Sequence, residues 1–216
     1  MLKKILAVIL SVSMLSTIVS AAEFSDVGNH WAAGEIQYGV DNGIISGYPD
    51  GTFRPNETIS RAGFVKMLVS SIAENYDVEI SRPGSGEHWV SRYYSFAVAQ
   101  SILMPQYGVE HDGVEAAVLT TETVDNKIKR WEMAYMLYCV LANLMEKGNW
   151  YDGYVDFEET KNLYGEDMAY FIGACVDGGL LHGDQNGRLN AASDATRAEA
   201  ITVVNRVDRM LKQMKK

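Results

Sequence analysis

The chain has 216 residues, 47% of them hydrophobic, and its 28 acidic against 19 basic residues give a formal charge of −9. That length holds one good core or a few small stacked units. The acidic balance argues against nucleic acid and against an anionic membrane surface, so an anionic ligand would need a local positive site.

Lys3 and Lys4, the apolar run from Ile5 to Val19 and the small residues Ser20-Ala21-Ala22 read as a secretory signal peptide over residues 1–22. The apolar run is short for a bilayer span. Without the two lysines the charge is −11, from 17 basic and 28 acidic residues. The remainder reads as three helix–loop–helix repeats, at 23–76, 77–147 and 148–216.

The first repeat has a short lead-in, Phe24-Ser25-Asp26-Val27, and its first helix opens at His30-Trp31. Gly43 is placed as the left-handed residue ending that helix, and Pro49-Asp50-Gly51 as a turn. Ser60 is a good N-cap for a second helix over Arg61 to Tyr76, with Phe64, Val65, Leu68 and Ile72 at helical spacing. Asp77 to Gly86, with Pro83 and Gly84, reads as a linker.

The second repeat begins at His88-Trp89, which matches His30-Trp31 at an offset of 58. The match then fails: Pro105 stands where the glycine loop should begin, and register returns only at Arg130, offset 69 from Arg61. Its second helix is expected from about Arg130 to Lys147. The third repeat has the lead-in Tyr154-Val155-Asp156-Phe157, a helix containing Met168, Ile172 and Val176, and a partner helix from Thr196 nearly to Lys216. A shift of 136 carries Asp41, Gly43, Gly47, Gly51, Arg61 and Ala62 onto Asp177, Gly179, Gly183, Gly187, Arg197 and Ala198. Thr196 with Glu199 forms a capping box, and Gly63 takes the glutamate's place in the first repeat. Two short helices cannot bury an apolar face alone, so the units must share a core, and Leu68, Leu137 and Val204 are expected to meet in it.

Phe-x-Asp-Val, His-Trp, Gly-Ile-Ile-x-Gly, Asp-Gly-x-Phe-x-Pro and Thr-Arg-Ala-Glu together resemble the S-layer homology (SLH) domain family. The first repeat matches nearly throughout, the third keeps Thr196-Arg197-Ala198-Glu199, and the second keeps His88-Trp89 and Arg130 but loses its central loop. The resemblance implies an all-α, pseudo-threefold, three-pronged trimer of repeats around a central three-helix bundle. It also implies non-covalent binding of secondary cell-wall polysaccharide, often pyruvylated, in grooves between repeats, with Arg61, Arg130 and Arg197 as ligand contacts. A secreted protein at the wall or S-layer of a Gram-positive-type cell would follow, with S-layer or other envelope proteins as further partners. The competing reading is an envelope interaction module that kept the fold and lost glycan binding.

The residues point the same way. Each arginine sits in the first turn of a helix, where a cation opposes the helix dipole at a cost of roughly 0.3–1 kcal/mol. Free helix N–H groups beside a guanidinium suit a carboxylate. Ser46-Gly47-Tyr48 and Gly183 would let a sugar approach, and Tyr48 and Trp131 would give it a stacking face. The alternative is that each arginine pairs with a buried acid such as Asp26 or Asp156. Integrity of the glycine loop ranks Arg61 and Arg197 above Arg130. His30 and His88 are expected to pack or cap, and Trp31 and Trp89 to lie in the core. Cys139 and Cys175 are read as small packed side chains more readily than as a disulfide. Neither glycine loop has the acids of a calcium-binding loop. No nucleophile–base motif or phosphate loop is present, so neither a cofactor nor catalysis is expected.

Overall fold

The computed structural model describes residues 24–76, 78–80, 86–102, 123–144 and 151–215. The signal peptide reading, Pro83-Gly84 and the rebuilt loop around Pro105 lie outside these residues. Seven helices are present among them: α1 (Ala33–Asp41), α2 (Arg61–Tyr76), α3 (Ser91–Ala99), α4 (Arg130–Leu144), α5 (Phe157–Tyr164), α6 (Glu166–Asp177) and α7 (Arg197–Met214). The fold is all-α, with no named strand among the described residues. None of these helices is long and apolar enough to cross a membrane.

The three short helices α1, α3 and α6 end alike. After α1 the chain passes through Gly43 at φ 66°, and the Ile44 amide turns back to the Gly39 carbonyl at 2.9 Å. Gly179 (φ 72°) repeats this after α6. After α3 the same left-handed place falls to Ser101 (φ 55°), a side-chain-bearing residue in a conformation that glycine adopts more cheaply. The third repeat adds a helix that periodicity did not foretell. Residues 157–164 form α5, burying Phe157 and Thr160, before Gly165 (φ 85°) breaks it from α6.

One apolar cluster draws on every described helix. Leu68, Leu137 and Val204 are each at most 1% exposed and belong to it. Helix α2 packs on α7 and α3, α1 on α7, and α4 and α5 on α6. The α1–α7 seam is partly polar. Asp208, almost fully buried, accepts from the Tyr38 hydroxyl (2.5 Å), Asn75 Nδ2 (2.7 Å) and Lys212 Nζ (2.8 Å). Those bonds satisfy a carboxylate that would otherwise be costly to bury. Burial, followed by the Asp208 bond, raises the pKa of the Tyr38 phenol.

Candidate functional site

The starts of α2, α4 and α7 are tied together through the residues just before them. The Ile59 amide donates to the Ala195 carbonyl (3.0 Å), the Ala195 amide to Ile128 (2.9 Å) and the Ile128 amide to Ile59 (3.0 Å), closing a cycle. Two residues on, the amides of Arg61, Arg130 and Arg197 donate to the carbonyls of Asn126, Ser193 and Glu57. Those of Ala62, Trp131 and Ala198 donate to Val124, Ala191 and Pro55. In α2 and α7 the third amide is taken by the cap itself, Gly63 to Ser60 Oγ (3.1 Å) and Glu199 to Thr196 Oγ1 (3.2 Å). The first amides of a helix are usually its open donors. Here they are spent inside the protein, so these helix starts are not the carboxylate cradle that their sequence suggests, and the guanidinium groups are what remains.

The three guanidinium groups reach across the same seams. Arg61 Nε donates to Glu132 Oε1 (2.7 Å) and Nη1 to the Thr123 carbonyl (3.0 Å). Arg130 Nη1 donates to Glu199 Oε1 (2.7 Å) and Nε to the Leu189 carbonyl (2.6 Å). The second oxygen of each glutamate accepts the amide at its own helix's N-cap, Lys129 (2.7 Å) or Thr196 (2.9 Å). One carboxylate thus caps a helix and neutralises a neighbour's arginine. Arg197 differs: its Nε donates to the Phe53 carbonyl (2.9 Å) and its Nη2 to the Ser46 carbonyl (3.3 Å). The residue that would supply its acid is Gly63, and no carboxylate lies within ion-pair distance of it among the described residues. Burial lowers the pKa of this guanidinium.

Asp26 and Asp156 are not the arginines' partners. Asp26 accepts the backbone amides of Phe53 (2.8 Å) and Arg54 (2.7 Å), and Asp156 those of Leu189 and Asn190 (both 2.8 Å). Each clasps the loop behind a groove at a left-handed residue, Arg54 (φ 59°) or Asn190 (φ 51°).

Two grooves result, related residue by residue. The first, of about 220 Å³, is lined by Ser46, Gly47, Tyr48, Gly63 and Lys66 of the first repeat, Trp89 of the second and Arg197 of the third. The second, of about 560 Å³, is lined by His182, Gly183, Asp184, Glu199 and Thr202 of the third repeat, Trp31 of the first and Arg130 of the second. Trp31 is 65% and Trp89 45% exposed, so neither is core as their bulk suggested. A histidine holds each indole outward. His30 Nδ1 accepts the Ala32 amide (3.2 Å) and its ring leans on Trp31 at 5.4 Å. His88 repeats this with the Val90 amide (3.3 Å) and Trp89 (5.5 Å). These tryptophans are the site residues that sequence reasoning missed; the repeated His-Trp pair was the available signal. In the third repeat Asp167 stands at the tryptophan's position, and residues 103–122 of the second lie outside the described residues.

Of the other predicted residues, Trp131 is only 8% exposed and packs against Tyr164 at 5.3 Å, which removes it as an open sugar platform. Tyr48 stays half-buried with the guanidinium groups of Arg54 (4.0 Å) and Arg197 (4.8 Å) over its ring. Gly47 and Gly183 line the grooves, but the loops themselves require them. A Cβ at Gly47 would meet the Phe24 ring at 2.1 Å, and one at Gly183 the Gly187 backbone at 2.4 Å.

Residues 23–64 match the model of the S-layer homology domain. The chain is 30% identical over 217 residues to the S-layer protein EA1 of Bacillus anthracis, covering 96% of this chain and 23% of that protein. It is equally identical over 219 residues to an S-layer protein of Bacillus licheniformis, with the same coverage. A cellulosome-anchoring protein of Acetivibrio thermocellus is 32% identical over 91 residues, 39% of this chain and 20% of that protein. The chain therefore spans less than a quarter of the length of these relatives.

Proposed function

From an S-layer homology domain at residues 23–64 and relatives that are S-layer and anchoring proteins, we propose that this chain is a non-catalytic anchor of the cell surface. It holds itself or a partner to the wall of a Gram-positive-type cell by non-covalent binding of secondary cell-wall polysaccharide. The repeats at 23–76, 77–147 and 148–216 act as three modules of one pseudo-threefold trimer, a reading supported by the closed cycle at Ile59, Ile128 and Ala195.

The observation that carries this reading is the pair of matching grooves, each with an exposed indole, a loop wall and an arginine, drawn from three repeats. An indole face removes the C–H face of a sugar from water. The loops supply polar backbone, and the arginine supplies charge for an acidic substituent such as a pyruvate ketal. Arg61, Arg130, Arg197, Ser46, Gly47, Tyr48 and Gly183 are the proposed contacts, joined by Trp31 and Trp89. Trp131 contributes by packing.

Co-sedimentation with purified cell walls, before and after chemical removal of the secondary polymer, tests the proposal. The protein should pellet with intact walls and stay in solution with stripped ones. Trp31→Ala and Trp89→Ala should each weaken pelleting without lowering the melting temperature, because both rings are exposed. Equal pelleting with stripped walls would overturn glycan anchoring and leave the protein-interaction reading.

A further inference from the structure

The second groove holds an arginine that the repeats do not share. Glu199, Thr202, Val203 and Arg206 line it from one face of α7, at helical spacing. Arg206 thus rises about two turns beyond Glu199, on a lining that also includes Leu181, His182 and Trp31. The positions equivalent to it, at offsets of 136 and 67, are Ser70 and Cys139, and neither can carry a positive charge.

The other charges of this groove are committed. Arg130 pairs with Glu199 (2.7 Å), Arg188 with Glu159 and Asp194 with Lys129. Asp184 accepts the amides of Asn186 (2.8 Å) and Arg188 (3.1 Å) and Asn190 Nδ2 (3.1 Å). Arg206 donates Nη1 to the Leu180 carbonyl (2.8 Å), and no carboxylate pairs with it among the described residues. Glu35 acts on it but gives both oxygens to Arg209 (3.1 and 3.0 Å), and one of them also to Asn205 Nδ2 (2.7 Å). Burial, and after it the Arg206 charge, lowers the pKa of His182. A half-buried guanidinium without a counter-charge, on the wall of a hollow of about 560 Å³, is electrostatically incomplete.

We infer that Arg206 is the residue by which the second groove reads an anionic substituent, a carboxylate or a phosphate, on its bound glycan. This rests on the glycan reading and refines it. Arg130 meets the ligand with Glu199 already on its guanidinium, whereas Arg206 meets it uncompensated. One N–H of Arg206 is fixed on a carbonyl, which orients the planar group, and the remaining N–H groups match two oxygens of either anion. With no counterpart in the other repeats, this selectivity belongs to the second groove alone.

The test is nuclear magnetic resonance of the His182 imidazole, assigned by its loss in His182→Gln, because His182 lines this groove and not the first. The ligands are fragments released from purified cell walls, used intact, after carbodiimide amidation of their carboxylates, or after chemical dephosphorylation. Intact fragments should shift the His182 signals and raise its pKa, since a bound anion offsets the Arg206 charge. Whichever treatment removes the anion should weaken binding about ten- to a hundredfold, the loss expected for a charge-assisted bond, and abolish the pKa rise. Arg206→Gln should erase the difference between intact and treated fragments, and Arg206→Lys, which keeps the charge, should retain most of it. In unliganded Arg206→Gln the His182 pKa should lie above the wild-type value, and an unchanged melting temperature would show that the groove survives. If that variant unfolds, the pKa rise and the treatment effect in the wild-type chain still decide. Fragments that shift His182 without raising its pKa would overturn the inference and leave glycan binding intact. So would equal affinity for all three preparations, or a difference that persists in Arg206→Gln. A chain that neither responds to fragments nor pellets with intact walls would sink both the inference and the reading beneath it.

Discussion

Asp156→Ala should be among the most damaging single changes to the third repeat, although the residue touches neither groove directly. The carboxylate is 4% exposed and accepts two amides, Leu189 and Asn190, at 2.8 Å each. Alanine leaves both donors without an acceptor, one of them buried. Stranding a buried donor costs about 1–3 kcal/mol, and bonds to a charged group lie at the upper end. The two together give about 3–5 kcal/mol, or a fall in melting temperature on the order of 10 °C for a chain of this size. The first repeat supplies an internal control. Asp26 makes the same pair of bonds at 2.7 and 2.8 Å but is exposed, so water can replace the carboxylate. Asp26→Ala should cost about 1 kcal/mol. Urea unfolding at neutral pH, followed by far-ultraviolet circular dichroism, measures both. An Asp26→Ala loss equal to or larger than that of Asp156→Ala would refute the argument from burial, and a loss below about 1 kcal/mol for Asp156→Ala would refute the clasp.

Leu137→Ala should destabilise the whole chain by about 2–5 kcal/mol, since Leu137 is fully buried in the cluster shared by all repeats. A calorimetric scan showing one repeat melting early and the others unchanged would contradict a single cooperative unit. Cys139 and Cys175 are free and buried, and burial pushes the Cys139 thiol to about 11 and the Cys175 thiol well above its ordinary value. Neither should react with a thiol reagent at pH 8 in the native protein, and both should react at once in denaturant. Rapid native labelling of either would show that the packing around it is open.

What the sequence disclosed and what it withheld divide by range. The capping box at Thr196 and Glu199, its absence at Gly63 and the left-handed Gly43 depend on residues a few positions apart, and each was readable. The partners of the arginines were not. Arg61 meets Glu132, 71 residues on, and only the seam between repeats puts them together. Asp26 and Asp156 were the nearer acids in the pattern but are committed to loop amides. The tryptophans reversed places for a related reason. Bulk alone sends an indole inward, yet His30 and His88 brace Trp31 and Trp89 outward, while the burial of Trp131 follows from Tyr164 on α5, a helix with no counterpart elsewhere among the described residues. Pro105, on which the sequence based its ranking of the grooves, lies outside the described residues.

The hydrogen-bond cycle at the helix starts also bears on how such a chain can vary over evolutionary time. In an open stack of repeats each unit leans on the next, and the array lengthens at its ends. Here the last helix start returns to the first loop, through the Arg197 amide to the Glu57 carbonyl and the Ala198 amide to Pro55. The cycle closes on itself. A fourth unit would have to break these contacts before making its own, and a deleted unit would strand the donors on either side of the gap. Growth is instead channelled between the helix starts. The spacing is 69 residues from Arg61 to Arg130 and 67 from Arg130 to Arg197, and lengthening a connection costs little, since loop-closure entropy rises only by about 0.6 kcal/mol for each doubling. A lineage with this cycle would diversify in the connections between the helix starts while the cycle itself stays fixed.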